Sequence, residues 1–241
     1  MTQIAIISTV PDLVQSAIQD SILRQGEERD AVSFHLVDLR EFGEGNYRQV
    51  DDTPFGGGSG MVLMAGPMFK AIEHAFTLVG GQDGTAVVYP TPQGDVWSDG
   101  AAGTLSECER IIFICGHYKG IDQRVIDKYV THEYSIGDFI VSAGELPSLM
   151  IMDSIVRLIP GVLNSRESAL TDSFTSGLLD APWFTKPREI DGMEVPDTLV
   201  SGHHEQIDSW RQAEREKRTK VRRPDLWKKY QDKQKSMEIE R

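Results

Sequence analysis

Cysteine is nearly absent from this chain: Cys108 and Cys115 are the only two in 241 residues. Two cysteines build no disulfide framework and match no zinc spacing, so a reducing cytoplasm is the expected setting. Long apolar runs are missing too, and none approaches the ~20 residues of a spanning helix. The N-terminal "MTQIAIISTVPD" has neither the basic flank nor the cleavage site of a signal peptide, and it reads as a first strand. No G-x-x-x-x-G-K-[ST] occurs, which excludes a P-loop. No H-E-x-x-H or C-x-x-C occurs either. His203-His204 are neighbours that point ~100° apart on a helix, so no catalytic zinc site is expected and no metal ligands are singled out. The glycine run "DDTPFGGGSGM" (residues 51–61) is not G-x-G-x-x-G and follows polar residues, so a dinucleotide fingerprint fails there.

What is present is the balance of a globular protein, 39% apolar and 26% charged. The net charge of −12 argues against nucleic acid as an average, but the charge is uneven. Residues 211–241 hold 12 of the 25 Lys+Arg and 6 of the 37 Asp+Glu, a net +6 that leaves −18 on residues 1–210. The densest part is "RQAEREKRTKVRR". An acidic body with a basic end points to a polyanion met mainly through that end. A solvated helix face, with Glu214 and Glu216 laced among the bases, is the plainer alternative.

Apolar runs alternate with helical patterns along the first two-thirds. "QIAIIS" precedes an amphipathic stretch from Asp12 to about Gln25. "VSFHLVDL", "TAVVYPTPQG", "RIIFICGHYKGID" and "YSIGDFIVSAGE" are further short apolar runs, with helix-like "PMFKAIEHAFTLV" and "LPSLMIMDSIVRLI" among them. This rhythm predicts an α/β domain with a mostly parallel sheet over residues 1–162. "PGVLNSRESALTDSFTSG" breaks it with Pro, Gly, Ser and Thr, so residues 163–176 read as a linker. Residues 177–241 read as a small helical basic domain, with one helix starting near Ser201 and another in "RPDLWKKYQDKQK".

Three apolar runs end in glycine-bearing loops: "TPQG" (91–94), "CGHYKG" (115–120) and "SIGDFIVSAGE" (135–145). Ligands of an open parallel sheet sit outside the carboxyl ends of its strands. Glycines also serve plain turns, but three such loops in one domain suggest a pocket of backbone amides and carbonyls, suited to an adenine and a ribose. Two glycines, two carboxylates and a serine close around Phe139-Ile140-Val141 are more than a strand built for burial needs. The 51–61 run reads as a loop that closes over a substrate, or else as a surface turn.

The blocks "VDDTPFGGGSGM", "YPTPQG", "CGHYKGID", "YSIGDFIVSAGELP", "SIVRLIPGVL", "TDSF" and "GLLDAPWFTKP…GMEVPDTLVSG" follow one another as in bacterial tRNA (guanine-N1)-methyltransferases, and the chain resembles that family up to about Arg223. The resemblance implies a trefoil-knotted methyltransferase domain of the SPOUT class and a homodimer. It also implies transfer of a methyl group from S-adenosyl-L-methionine to N1 of the guanosine just 3′ of the tRNA anticodon. No composition or spacing argument would propose a knot. Residue by residue, it implies that Gly116 and Ile136, Gly137, Asp138, Phe139, Ile140 and Val141 contact the cofactor, with Pro92 and Gly144 nearby. It implies Asp172 as general base and Arg157 as the cation that activates or stabilises the target base. The alternatives are that Asp172 caps a short helix and that Arg157 pairs with Asp153 four residues earlier. Asp51, Asp52, Gly58 and Ser59, with residues 164–172, are expected to read the base, while Arg211, Arg215 and Arg218 are expected to contact phosphates.

The chain departs from the family pattern at Lys119, where many members have glutamate ("RYEGID" against "HYKGID" here). A lysine ligates no magnesium, which puts any metal requirement in doubt and suggests a fixed ammonium in its place. His117 for arginine, Ser59 for proline and Ala143 for glycine are milder departures.

Overall fold

The computed structural model describes residues 1–164 and 172–239. The chain forms two units, Met1–Asn164 and Ser165–Arg241. The first runs β1 (Thr2–Ser8), α1 (Pro11–Ile18), α2 (Ser21–Glu28), β2 (Val32–Asp38), β3 (Asp51–Asp52), β4 (Val62–Leu63), α3 (Ala65–Val79), β5 (Ala86–Val96), α4 (Asp99–Ser106), β6 (Arg110–Ile114), α5 (Gln123–Tyr129), β7 (His132–Ser135) and α6 (Glu145–Val156). Five strands make one parallel sheet in the order β2-β1-β6-β5-β7.

The sheet is buried on both faces, which is why its strands read as continuous apolar runs. Side chains alternate across the pleat. Ala5, Ile7, Val87, Ile112 and Ile114 pack with Ala71, Ile72, Ala75 and Val125 of α3 and α5. Ile4, Ile6, Val88, Ile111 and Phe113 pack on the other face with Val14, Leu23, Leu105, Ile151 and Ile155 of α1, α2, α4 and α6. Truncating a fully buried ring such as Phe113 to alanine costs about 3–5 kcal/mol in such a core.

Three local expectations change. The stretch from Asp12 to Gln25 is two helices, because the Asp20 carboxylate accepts from the Ser21 amide at 2.7 Å and Ser21 has φ +53°. The apolar run at Phe139-Ile140-Val141 is an exposed loop, since β7 stops at Ser135 and Gly137 turns the chain at φ +137°. The helix expected from Ser201 begins at His204 instead, after a short turn of helix, α7 (Asp197–Val200).

In the second unit a two-residue hairpin, β8 (Glu189–Ile190) and β9 (Met193–Glu194), precedes α7, α8 (His204–Arg222) and α9 (Pro224–Ile239). Its small core holds Leu178, Ala181 and Thr219. The Thr219 hydroxyl donates to the Arg215 carbonyl at 2.7 Å and accepts from the Leu179 amide at 2.8 Å, tying the 178–181 segment to α8.

Candidate active site

A cavity of about 530 Å³ opens at the carboxyl ends of β5, β6 and β7, lined by residues 89–93, 116–121 and the loop after β7. A cleft of about 740 Å³ lies at the amino ends, among Met1, Arg29, Ser106 and Arg110. The carboxyl-end cavity is the candidate site, because that is where a parallel sheet turns its loops toward a ligand.

Backbone approaches backbone in this cavity. The Gly144 amide donates to the Gly116 carbonyl at 2.7 Å, and Ala143 forms an antiparallel bridge with His117. A Cβ on Gly144 would sit 2.6 Å from the Gly116 nitrogen, and one on Gly116 would sit 2.9 Å from the Tyr89 ring. Burial pushes the Tyr89 phenol above its ordinary pKa, against a hydrogen bond with the Ile121 backbone. Ser135 Oγ accepts from the Gly137 amide at 3.2 Å and donates to its carbonyl at 3.1 Å, holding the turn that leads to Phe139.

Below the loops lies a buried polar chain. Ser8, at the end of β1, donates to Glu145 Oε1 at 2.6 Å, and His117 Nε2 lies 3.1 Å from both carboxylate oxygens. Glu145 is fully buried in the first turn of α6, where the helix dipole favours an anion. Next to it the Cys115 thiol meets Ser148 Oγ at 3.4 Å. Burial first, and the Glu145 charge second, push that thiol far above its ordinary pKa.

Of the expected cofactor residues, Pro92, Gly116, Ile136, Gly137, Phe139, Ile140, Val141 and Gly144 line the cavity, while Asp138 sits in the same loop without lining it. Asp51 and Asp52 pair with Leu63 and Val62 across β3 and β4. The loop between them carries Gly58 and Ser59, and its far end is stitched to the cavity. The Lys119 amide donates to the Met61 carbonyl at 3.0 Å, and the Leu63 amide donates to the Gly120 carbonyl at 3.0 Å. The Lys119 stem lies over Gly60, where a Cβ would come within 2.9 Å of Lys119 Cγ.

Arg157 ends α6, and its charge lowers the Asp153 carboxyl against the larger upward push of burial. Asp172 belongs to the second unit and is half-buried. Residues 173–176 form a turn and not a helix, and Ser173 Oγ accepts from the Asp180 amide at 2.9 Å. Expected base-reading residues 165–171 lie outside the described residues. Arg211, Arg215 and Arg218 all stand on α8. Arg215 Nη2 donates to Ser176 Oγ at 2.8 Å, and its Nε is buried with no hydrogen-bond partner among the described residues.

The family model described as tRNA (Guanine-1)-methyltransferase TrmD matches residues 2–229, through both units. The chain belongs to the tRNA (guanine-1)-methyltransferase family. It is similar to a tRNA (guanine-N(1)-)-methyltransferase of Chlorobaculum tepidum, at 45% identity over 96% of this chain and 100% of that one. A relative of the same name from Christiangramia forsetii is 47% identical over 93% and 98%. One from Clostridioides difficile is 43% identical over 95% and 98%.

For this methyltransferase family member, sequence reasoning missed the link from Ser8 through Glu145 to His117, and Tyr89 as the wall behind Gly116. The one signal for the first was a carboxylate opening the helix that follows a glycine loop. Nothing local marked Ser8, which lies 137 positions away from Glu145.

Proposed function

We propose that this chain transfers a methyl group from S-adenosyl-L-methionine to N1 of guanosine-37, immediately 3′ of the tRNA anticodon. The observation that carries the reading is the cradle in which Gly116 and Gly144 leave no room for a Cβ, at the carboxyl ends of the strands. It stands in a chain that matches the family through both units. Such a cradle fits S-adenosyl-L-methionine, because close backbone reads adenine and ribose edges by hydrogen bonding. Pro92, Gly116, Ile136, Gly137, Asp138, Phe139, Ile140, Val141 and Gly144 would hold it. When bound, it supplies a methyl group on a positive sulfonium, whose departure needs no acid.

The nucleophile is the harder part, because guanine N1 carries a proton. Asp172 takes that proton as general base. Arg157 stabilises the negative charge that grows on the adjacent carbonyl oxygen. Asp51, Asp52, Gly58 and Ser59 present the target base, and Arg211, Arg215 and Arg218 hold phosphates without reading sequence. Residues 163–176 serve as the linker between a catalytic domain, 1–162, and a tRNA-binding domain, 177–241.

The reading routes no step through magnesium, because Lys119 brings a cation of its own beside the cavity. A trefoil knot is supported by the path of the chain: β7 lies beyond β5 at the sheet edge, yet Ala143 returns to pair with His117 after β6. A homodimer is supported by Leu146 and Met150, exposed one turn apart on α6 beside exposed Phe139 and Ile140. A cytoplasmic setting fits a tRNA substrate, and no helix among the described residues is long and apolar enough to cross a membrane.

The test is methyl transfer from labelled S-adenosyl-L-methionine to two tRNA transcripts, with guanosine or adenosine just 3′ of the anticodon, each with and without chelator. Label on the guanosine transcript alone is expected. Binding of tRNA with no label on either transcript, magnesium added, would leave a family member that binds without turnover.

A further inference from the structure

The second unit carries an exposed indole that its own core does not use. Trp183 is 67% exposed, yet its ring is fixed from two sides. Its Nε1 donates to Asp180 Oδ2 at 2.6 Å, and the Arg211 guanidinium lies 5.2 Å from the ring centroid. The Asp180 carboxylate is itself held, since Oδ1 accepts from the Ala181 amide at 2.7 Å. The next residue, Phe184, tilts against Trp210 of α8 with centroids 6.3 Å apart, which pins the strip that presents Trp183.

We propose that Trp183 is a stacking platform for one unpaired base of an RNA loop. This rests on the reading of tRNA as substrate. Stacking on an aromatic ring is worth most when the ring is already immobilised, because little side-chain freedom is then lost on binding. The cation–π contact and the indole hydrogen bond supply that immobilisation in the free protein. The surroundings favour a base over a phosphate at the ring itself: Asp180 touches it, and Asp208 lies 3.8 Å from Arg211. Further along α8, Arg215, Lys217, Arg218, Lys220 and Arg222 give the unit the positive charge that brings a polyanion to this surface. An uncharged aromatic face beside a basic helix is the arrangement that single-stranded nucleic acid fits.

The test uses the full chain and a synthetic anticodon stem-loop RNA, alone and with each loop base in turn replaced by an abasic residue. Trp183→Ala should bind the intact loop about tenfold or more weaker. Trp183→Phe should lose less, and the salt dependence should not change, because no phosphate contact is removed. At one abasic position the loss from Trp183→Ala should vanish, as a double-mutant cycle requires of two groups in contact. The exposed position predicts an unchanged melting temperature in both variants. Wild-type affinity in Trp183→Ala, or losses that multiply at every abasic position, would overturn the platform. So would a change in sedimenting mass, which would assign the indole to contact between copies of the chain. Wild-type methyl transfer is measured in parallel. Its absence counts against the proposed function, while the binding cycle alone judges Trp183.

Discussion

The Gly144 amide meets the Gly116 carbonyl at 2.7 Å, closing the loop after β7 against the loop after β6. Gly144 has φ −77°, which any residue adopts, so its requirement for glycine is one of space: a Cβ would lie 2.6 Å from the Gly116 nitrogen and 2.9 Å from Cys115 Cα. Those atoms are backbone and cannot swing aside. Gly144→Ala is therefore expected to weaken S-adenosyl-L-methionine binding at least tenfold, read by calorimetric titration. Overpacking of this kind also costs about 1–3 kcal/mol of stability. An alanine variant with wild-type cofactor affinity would separate the cradle from the cofactor.

Glu145 joins three elements that are far apart in sequence, accepting from Ser8 while His117 lies against both its oxygens. Glu145→Ala leaves the buried Ser8 hydroxyl and the His117 ring without their acceptor. Stranding buried polar groups that were paired with a charge costs about 3 kcal/mol or more. Urea unfolding should show that loss in the midpoint, with the denaturant slope unchanged. Glu145→Gln should lose less, because it keeps the volume and one carbonyl oxygen. Equal stability of all three proteins would remove Glu145 from the frame of the site.

The parallel sheet was legible because its strands are buried on both faces, so that "IAII" and "RIIFI" read as unbroken apolar runs. The helices α3 and α6 were legible from length and apolar content. The loop 136–144 was legible only through its glycines, since Phe139, Ile140 and Val141 look like a strand to any local measure and are exposed in the fold. What decides there is Gly137 at φ +137° and the return of Ala143 to His117, a contact made across the end of β5. Ser8 and Trp183 were missed for the same reason: each acquires its role only from residues brought together by folding. The residues expected to hold a cofactor came from resemblance to a family, and all of them but Asp138 line one cavity.

Asp172→Asn keeps the shape of the side chain and removes its basicity. Loss of a general base typically lowers turnover 10²–10⁴-fold. That fall in kcat is expected with cofactor and tRNA affinities changed only a few-fold, measured in single-turnover and equilibrium binding assays. A matching fall in tRNA affinity would make Asp172 a binding residue rather than the base.

Cys115 supplies a pH signature. Burial keeps its thiol protonated in the folded chain far above the ordinary value of 9.0, while the unfolded chain releases that proton near 9. The folded state then binds more protons than the unfolded one, so stability falls as pH rises through the ordinary thiol range. One such group contributes a slope of up to about 1.4 kcal/mol per pH unit. Urea unfolding between pH 8 and 10 should show a shallower decline in Cys115→Ala than in the wild type. The same burial predicts that a thiol reagent modifies the partly exposed Cys108 and spares Cys115 in the folded protein. Parallel declines in the two proteins would contradict the protonated thiol.

Lys119 ties the glycine loop to the cavity through its backbone, while its stem occupies the space that Gly60 leaves free. Its exposed side chain carries a cation at the rim of the cavity, on a stem that lies over Gly60. Methylation by the wild type is expected to survive chelator. Lys119→Ala should lower kcat about 10²-fold or more, the scale on which one fixed electrostatic group acts at developing charge. Cofactor affinity should change little. Gly60→Ala tests the same arrangement from the other side: at φ +98° a side chain is strained, and its Cβ would crowd Lys119 Cγ. That variant should lose part of the turnover lost in Lys119→Ala, and the two losses should not multiply in the double variant, because both act through one ammonium. Losses that do multiply would mean that Gly60 serves the motion of its own loop, and that the position of Lys119 does not depend on it.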